Sequence, residues 1–165
     1  MNNILGEQLK LLFQTVKVKD IMSETVPTLL VSESLSKAAD LFYVHPVFHL
    51  PIVDKNNCLV GLLSHKYLYK IEAPRKFIDD EMKTAAGMVL DREGYFWKES
   101  LDRYILSRVM KPNPPALKPE DSLKDAVELM ARKGLGCIPV VNAKKEVLGI
   151  ITNQEVFNFI ASILK

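Results

Sequence analysis

The sequence predicts an α/β fold with mixed sheets: tandem βαββα repeats packed around a pseudo-two-fold axis, a flanking N-terminal helix, and a partly helical insert between the repeats. Two observations carry this. The stretch GLLSHKY at 61–67 returns as GIITNQE at 149–155, and the 88-position spacing of Gly61 and Gly149 also relates Met22 to Met110, Pro27 to Pro115, Ser34 to Ser122, Ala38 to Ala126, Pro51 to Pro139 and Val53 to Val141. A gap-free spacing over that window marks an internal duplication. Second, one copy is too small to cover its own apolar sheet face, and two copies packed together solve that problem.

Each copy reads in the same order. VPTLLV and PPALKP are short extended stretches, because proline and β-branched neighbours disfavour helix. Ser34 and Ser122 are N-caps for the helices that follow, since a side-chain oxygen there accepts from a free backbone N–H. Leu35, Ala38, Ala39 and Phe42 recur at helical spacing, as do Leu123, Ala126, Val127 and Met130. HLPIVD and CIPVVN are brief apolar runs expected to form buried strands. Turns follow at NN and AKK, and CLVGLLS and EVLGIIT return as the second strands of hairpins. A closing helix is clearest in the second copy, with Val156, Phe157, Ile160, Ile163 and Leu164 as its apolar stripe.

The expected organisation is an N-terminal helix over 1–17, a first repeat over 18–69, an insert over 70–104 and a second repeat over 105–165. Leu5, Leu9, Leu12, Phe13 and Val16 share one face of the first helix, and Ile78, Met82, Ala85 and Val89 have helical spacing in the insert. The insert also carries Tyr95, Phe96 and Trp97, read as packing residues. A connection this long and this patterned is expected to be structured.

Composition narrows the function. A net charge of +2 with scattered Lys and Arg gives no case for nucleic acid. No apolar run approaches the ~20 residues that span a bilayer, so no membrane association is expected. The N-terminus carries Glu7 and Lys10 and does not resemble a secretion leader; a cytoplasmic location is the expectation. Cys58 and Cys137 form no CxxC pair and read as small hydrophobes. His45, His49 and His65 fall on different elements with no carboxylate at ligand spacing, so no metal site is expected. There is no glycine-rich phosphate loop, no GxSxG phrase and no Cys/His nucleophile arrangement, and the chain is read as a non-enzyme without a catalytic cofactor.

The stretches VKDIMSETVPTLLVSESLSKAADLF with HLPIVDKNNCLVGLLS, and LSRVMKPNPPALKPEDSLKDAVELMARKGLGCIPVVNAKKEVLGIITNQE, resemble two cystathionine-β-synthase-type (CBS) motifs. Together they resemble a CBS-domain pair, or Bateman module. The resemblance implies clefts between the copies that take adenosine-containing ligands such as AMP, ADP, ATP or S-adenosylmethionine, and a homodimer formed through the repeat helices. By matching position, the main adenosine cleft would combine Thr152, Gln154 and Glu155 with Met22, Pro27, Val47, Phe48 and His49. A degenerate second cleft would hold Ser64, Lys66, Pro115, Gly136 and Cys137.

Two chemical alternatives stay open at this level. Similar modules usually place aspartate where Glu155 stands, to hold a ribose diol; yet Thr-x-x-Glu is also a capping-box sequence that needs no ligand. Phe48 would either stack on adenine or fill its place. The first copy puts Tyr67 at the acidic position, so at most one well-formed adenosine site is expected. The function implied is a regulatory module that binds an adenine nucleotide or adenosyl ligand and signals through conformation or dimer state. The alternative is a ligand-free dimerisation or scaffolding module. The sequence names no effector protein.

Overall fold

The computed structural model describes residues 2–72, 74–76, 87–90 and 94–164, apart from the side chains of residues 2, 3 and 5. The chain forms two compact units. A central unit comprises Pro27–Asn113, and a terminal unit comprises Met1–Val26 with Pro114–Lys165. The compact units do not follow the repeats read along the chain. Residues 18–26, which lead into the first repeat, pack with the second; residues 105–113, which lead into the second, pack with the first.

The central unit holds β1 (Leu29–Leu30), α2 (Leu35–Val44), β2 (His49–Val53), β3 (Leu59–Ser64) and α3 (His65–Ile71), which follow α1 (Asn2–Thr15) in the chain. Next come β4 (Met88–Leu90), β5 (Tyr95–Trp97), α4 (Lys98–Leu101), α5 (Leu106–Val109) and β6 (Lys111–Pro112). Its sheet runs β1-β2-β3-β6, with β1 parallel to β2 and the remaining pairs antiparallel. Every residue of β2 after His49 is buried, as a strand covered on both faces requires.

The terminal unit holds α1 and then α6 (Leu123–Lys133), β7 (Cys137–Val141), β8 (Val147–Thr152) and α7 (Asn153–Ile163). β7 and β8 pair antiparallel, and single bridges complete the same four-fold order: Leu117 lies parallel to Val140, and Ser23 lies antiparallel to Ile150. Both hairpins slip register at the same place, between Ile52 and Val53 and between Val140 and Val141.

Local chemistry explains the shared frame. The Ser34 hydroxyl accepts from the Lys37 amide at 3.2 Å, and the Ser122 hydroxyl from the Asp125 amide at 3.1 Å. Each hairpin turn hangs on one side-chain oxygen. Asp54 Oδ1 accepts from the amides of Asn56 and Cys58 at 2.8 and 2.9 Å, and Asn142 Oδ1 from those of Lys144 and Glu146 at 2.9 and 3.0 Å. The residues that take positive φ there are Asn57 and Lys145. The copies end their first helix differently: Gly134 closes α6 in the left-handed conformation, whereas α2 runs into Pro46.

The two cores are separate clusters. The central one joins Leu35, Ala38, Ala39 and Phe42 of α2 to Leu50, Ile52 and Leu63 of the sheet, and to Val89, Phe96 and Leu101 from the insert. The terminal one joins Val18, Leu123, Ala126, Met130, Ile138 and Ile151, with Phe13, Val16 and Phe159 packed against it.

Three helical expectations change. Val89 lies on a strand, because the insert folds back as a β4–β5 hairpin whose Val89 and Phe96 face each other across the ladder; Ile78, Met82 and Ala85 lie outside the described residues. On α7, Phe157 and Ile163 are exposed, as is Leu164 just beyond it, and Phe159 turns inward instead, its ring edge-on to Phe13 at 6.2 Å. On α1, Leu12 and Phe13 are half-buried, as is Val16 just after it, while Leu9 is exposed; the side chain of Leu5 lies outside the described residues.

Candidate ligand-binding site

In the terminal unit the candidate residues gather where β8 passes into α7. Gly149 is required by the neighbouring backbone: a Cβ there would lie 2.3 Å from the Ser23 carbonyl oxygen. That close approach allows the pair of bonds between Ser23 and Ile150, at 2.9 and 3.0 Å. The ladder therefore leads straight from Met22, half-buried against the terminal core, to the start of α7.

Thr152 is the N-cap of α7. Its hydroxyl accepts from the Gln154 amide at 3.1 Å, and its own amide donates to Glu155 Oε2 at 2.9 Å. The Thr152 hydroxyl also donates to that same oxygen in a short contact. The capping box is thus formed. Glu155 Oε1 makes no hydrogen bond among the described residues, so one carboxylate oxygen stays available while the other caps. Gln154 is exposed, and its side-chain amide donates to Asn158 Oδ1 at 2.9 Å.

Cys137 stands directly across from Thr152 in the hairpin and is buried. Burial, reinforced by the nearby negative charge of Glu155, pushes its thiol up to about 12. It is a small apolar wall rather than a nucleophile. The Gly136 carbonyl accepts from the Asn153 amide at 3.2 Å, and Pro115 is half-buried two residues before the Leu117 bridge. Gly136 and Cys137, assigned by sequence to the second cleft, therefore sit beside Thr152 and Glu155.

The central unit repeats the frame with other chemistry. His49 is the cross-strand partner of Ser64. Its imidazole is held below its usual value of 6.5, first by burial and then by the charge of Lys66. Ser64 occupies the N-cap position of α3, yet its hydroxyl caps nothing. Tyr67 takes the place of the acid, and the Lys70 ammonium lies 4.9 Å from its ring centre. Pro27 and Val47 are half-buried, Val47 against the central core. Phe48 is 58% exposed, so its ring does not fill that core; its carbonyl accepts from the His65 amide at 2.9 Å.

Sequence reasoning weighed His65 only as a metal ligand and did not foresee its packing. It is buried inside an aromatic row, with Phe42 at 5.0 Å, Tyr69 at 4.8 Å and Phe48 at 6.3 Å, and Tyr69 stacks in turn on Phe96 of the insert. The second copy has Asn153 at this position, so the duplication gave no signal for it. Among the described residues no three His, Cys, Asp or Glu converge as metal ligands, and no helix is long and apolar enough to cross a membrane.

The model of the CBS domain matches residues 18–73 and 106–162, both copies of the duplication. The chain belongs to the CBS-domain family. A CBS domain-containing protein of Dictyostelium discoideum is 23% identical, the match covering 91% of this chain and 94% of that one. Homoserine O-acetyltransferase of Methanobrevibacter ruminantium is 26% identical over 98% of this chain, but the chain spans only about a quarter of that enzyme's length. Among solved structures, a CBS domain-containing protein from Bacillus anthracis superposes with a TM-score of 0.69 at 25% identity, covering 93% of this chain and 98% of that one. The CBS-pair protein CBSX2, solved in complex with AMP, gives 0.65 at 24% identity, covering 91% and 99%. A CBS domain pair solved with 5′-methylthioadenosine and S-adenosyl-L-methionine gives 0.68 at 21% identity, covering 90% and 98%. The CBS-pair fold is thereby shown for this chain.

Proposed function

We propose that this CBS-domain chain is a non-catalytic regulatory module that binds an adenine nucleotide or an adenosyl compound, and that ligand binding biases its conformation or dimer state. The supporting observation is the β8–α7 junction. There Glu155 spends one oxygen on the helix cap and keeps the other available, so capping and ribose binding are compatible roles of one carboxylate. The binding of AMP and of adenosyl compounds by proteins of the same fold supports the ligand class. The acetyl-transfer chemistry of the longer relatives is not assigned to this chain.

The test separates the two roles of Glu155. A ligand at a hundred times its dissociation constant stabilises the fold by about 2.7 kcal/mol, a melting shift of roughly 2–4 °C at this size. AMP, ADP, ATP and S-adenosylmethionine are to be compared on the native chain, Glu155→Gln, Glu155→Ala and Thr152→Ala. Glutamine preserves a capping box; Glu155→Gln is therefore expected to melt close to the native chain while losing the ligand shift. An unchanged shift in Glu155→Gln and Glu155→Ala reduces Glu155 to a cap. No shift with any of the four compounds turns the reading toward a ligand-free dimerisation module.

One observation favours that second reading. Phe157 on α7 is 62% exposed and Leu164, just past its end, 79%, and Phe157 borders a groove of about 420 Å³ beside Met130, Gly134, Leu135 and Val156. A homodimer through these helices would cover that surface. Light scattering on the native chain and on Phe157→Glu, expected to be dimer and monomer respectively, checks it alongside the ligand series.

A further inference from the structure

The duplication allows the two units to be compared where the first helix of each repeat gives way to its hairpin. The backbone there is the same in both. The Phe48 carbonyl accepts from the His65 amide at 2.9 Å, and the Gly136 carbonyl from the Asn153 amide at 3.2 Å. The side chains differ, and all in one direction. Tyr43, Phe48 and His65 in the central unit stand at the positions of Ala131, Gly136 and Asn153 in the terminal one. In the central unit His65 fills the space beside Phe42 and Tyr69, and the Phe48 ring packs edge-on to it at 6.3 Å and stays 58% exposed. In the terminal unit Ala131, Gly136 and Asn153 line the groove of about 420 Å³ that Phe157 borders. Gly136 does not take a positive φ, so its backbone would accept a side chain, and the missing one shapes the groove. One unit carries a knob where the other carries a hollow.

We propose that this groove takes the Phe48 ring of a second copy of the chain, so that association joins the central unit of one copy to the terminal unit of the other. The proposal rests on the dimer reading above and fixes which faces meet. The groove lacks the side chain that the other repeat carries at the same backbone position, so a ring fits its size. Its walls include Val127, Met130, Leu135 and Val156, and an aromatic ring entering there leaves water for apolar contact. An aromatic anchor in such a pocket is the common centre of a protein interface.

The exposed area also favours a second copy. Tyr43, Val44 and Phe48 on one face, with Phe157, Ile163 and Leu164 on the other, leave on the order of 600 Å² uncovered per chain. A two-fold pair makes the contact twice, Phe48 of each copy meeting Gly136 of the other. Such a pair buries about 1,200 Å², where stable specific interfaces begin. Pairing like faces does less. Two terminal faces set groove against groove, and two central faces set ring against ring, with the hollows unfilled.

Sedimentation velocity of the native chain, Phe48→Ala, Gly136→Phe and Ala131→Tyr tests the proposal. The last two copy the central unit's own residues into the groove, and Phe48 and Ala131 are both exposed, so those two substitutions leave the core intact. The native chain is expected to be a dimer, and each variant to associate at least tenfold more weakly. An equal mixture of Phe48→Ala with either groove variant is expected to associate more tightly than its components, because one native ring still meets one native groove. Native association of Phe48→Ala overturns the proposal and leaves the dimer through α7 standing. So does a dimer that Phe157→Glu dissociates while Gly136→Phe and Ala131→Tyr leave it intact. Mixtures no tighter than their components, with both groove variants, also overturn the proposal. A native chain that sediments as a monomer overturns the proposal and the dimer reading together.

Discussion

At the scale of single residues, the repeated phrase that begins at Gly61 and at Gly149 is explained by what each glycine faces. At 149 the neighbour is backbone: the Ser23 carbonyl oxygen would lie 2.3 Å from an added Cβ, and moving it breaks the Ser23–Ile150 pair. At 61 the nearest atom is the sulfur of Met110 at 2.2 Å, on a side chain with three rotatable bonds. Gly149→Ala is therefore expected to cost about 1–3 kcal/mol, in the range of overpacking, and Gly61→Ala less. Urea unfolding of both variants checks the order, and an equal or reversed cost would show that Ser23 yields as easily as a side chain. The capping residues behave alike in both sequence and structure. Ser122 and Asp125 exchange hydrogen bonds, with Ser122 Oγ donating to Asp125 Oδ2 at 2.6 Å, and those bonds hold the Asp125 carboxyl below its usual 3.8. Because the folded value is the lower one, that contribution is present above pH 3.8 and is lost as pH falls through the depressed value.

At the scale of elements, the hairpins and first helices could be read from the chain because their signals are local: a cap, a turn residue, an apolar period. The elements that went astray depend on a partner far away in sequence. Helix α7 carries Phe157 and Phe159 on nearly opposite faces, and periodicity alone does not choose between them; Phe13 of α1 does, by packing against Phe159. Val89 fits a helical period, but its real partner is Phe96 across a hairpin. The length of the insert also gains a reason here. Just as α1 packs on α6 in the terminal unit, the β4–β5 hairpin and α4 pack on α2 in the central one, and the Ser36 amide donates to Asp102 Oδ1 at 3.3 Å. Phe96, 1% exposed in the central core, is the keystone of that cover. Phe96→Ala is expected to cost about 3–5 kcal/mol, as for other fully buried phenylalanines. A loss under about 1 kcal/mol in chemical denaturation would mean that the insert lies loosely on α2.

At the scale of the whole molecule, each compact unit combines one repeat with the leader of the other. Residues 1–26 supply α1, the fully buried Val18 and the Ser23 edge to the terminal unit, although 18–26 open the first repeat in the chain. A chain lacking residues 1–26 is therefore expected to lose hydrogen-exchange protection in β7 and β8 while β2 and β3 keep theirs. Loss confined to the first repeat would show that the leader serves the repeat it precedes.

The sequence by itself determined the duplication, the order of elements in each copy, the caps and turns, and the family. All of these rest on residues within a few positions of each other or on one constant spacing. Only the tertiary structure decided which leader completes which sheet, which face of α7 is buried, and that His65 lies inside an aromatic row. Those outcomes depend on contacts between residues distant in the chain, where burial and backbone pairing choose among partners that local pattern leaves equivalent.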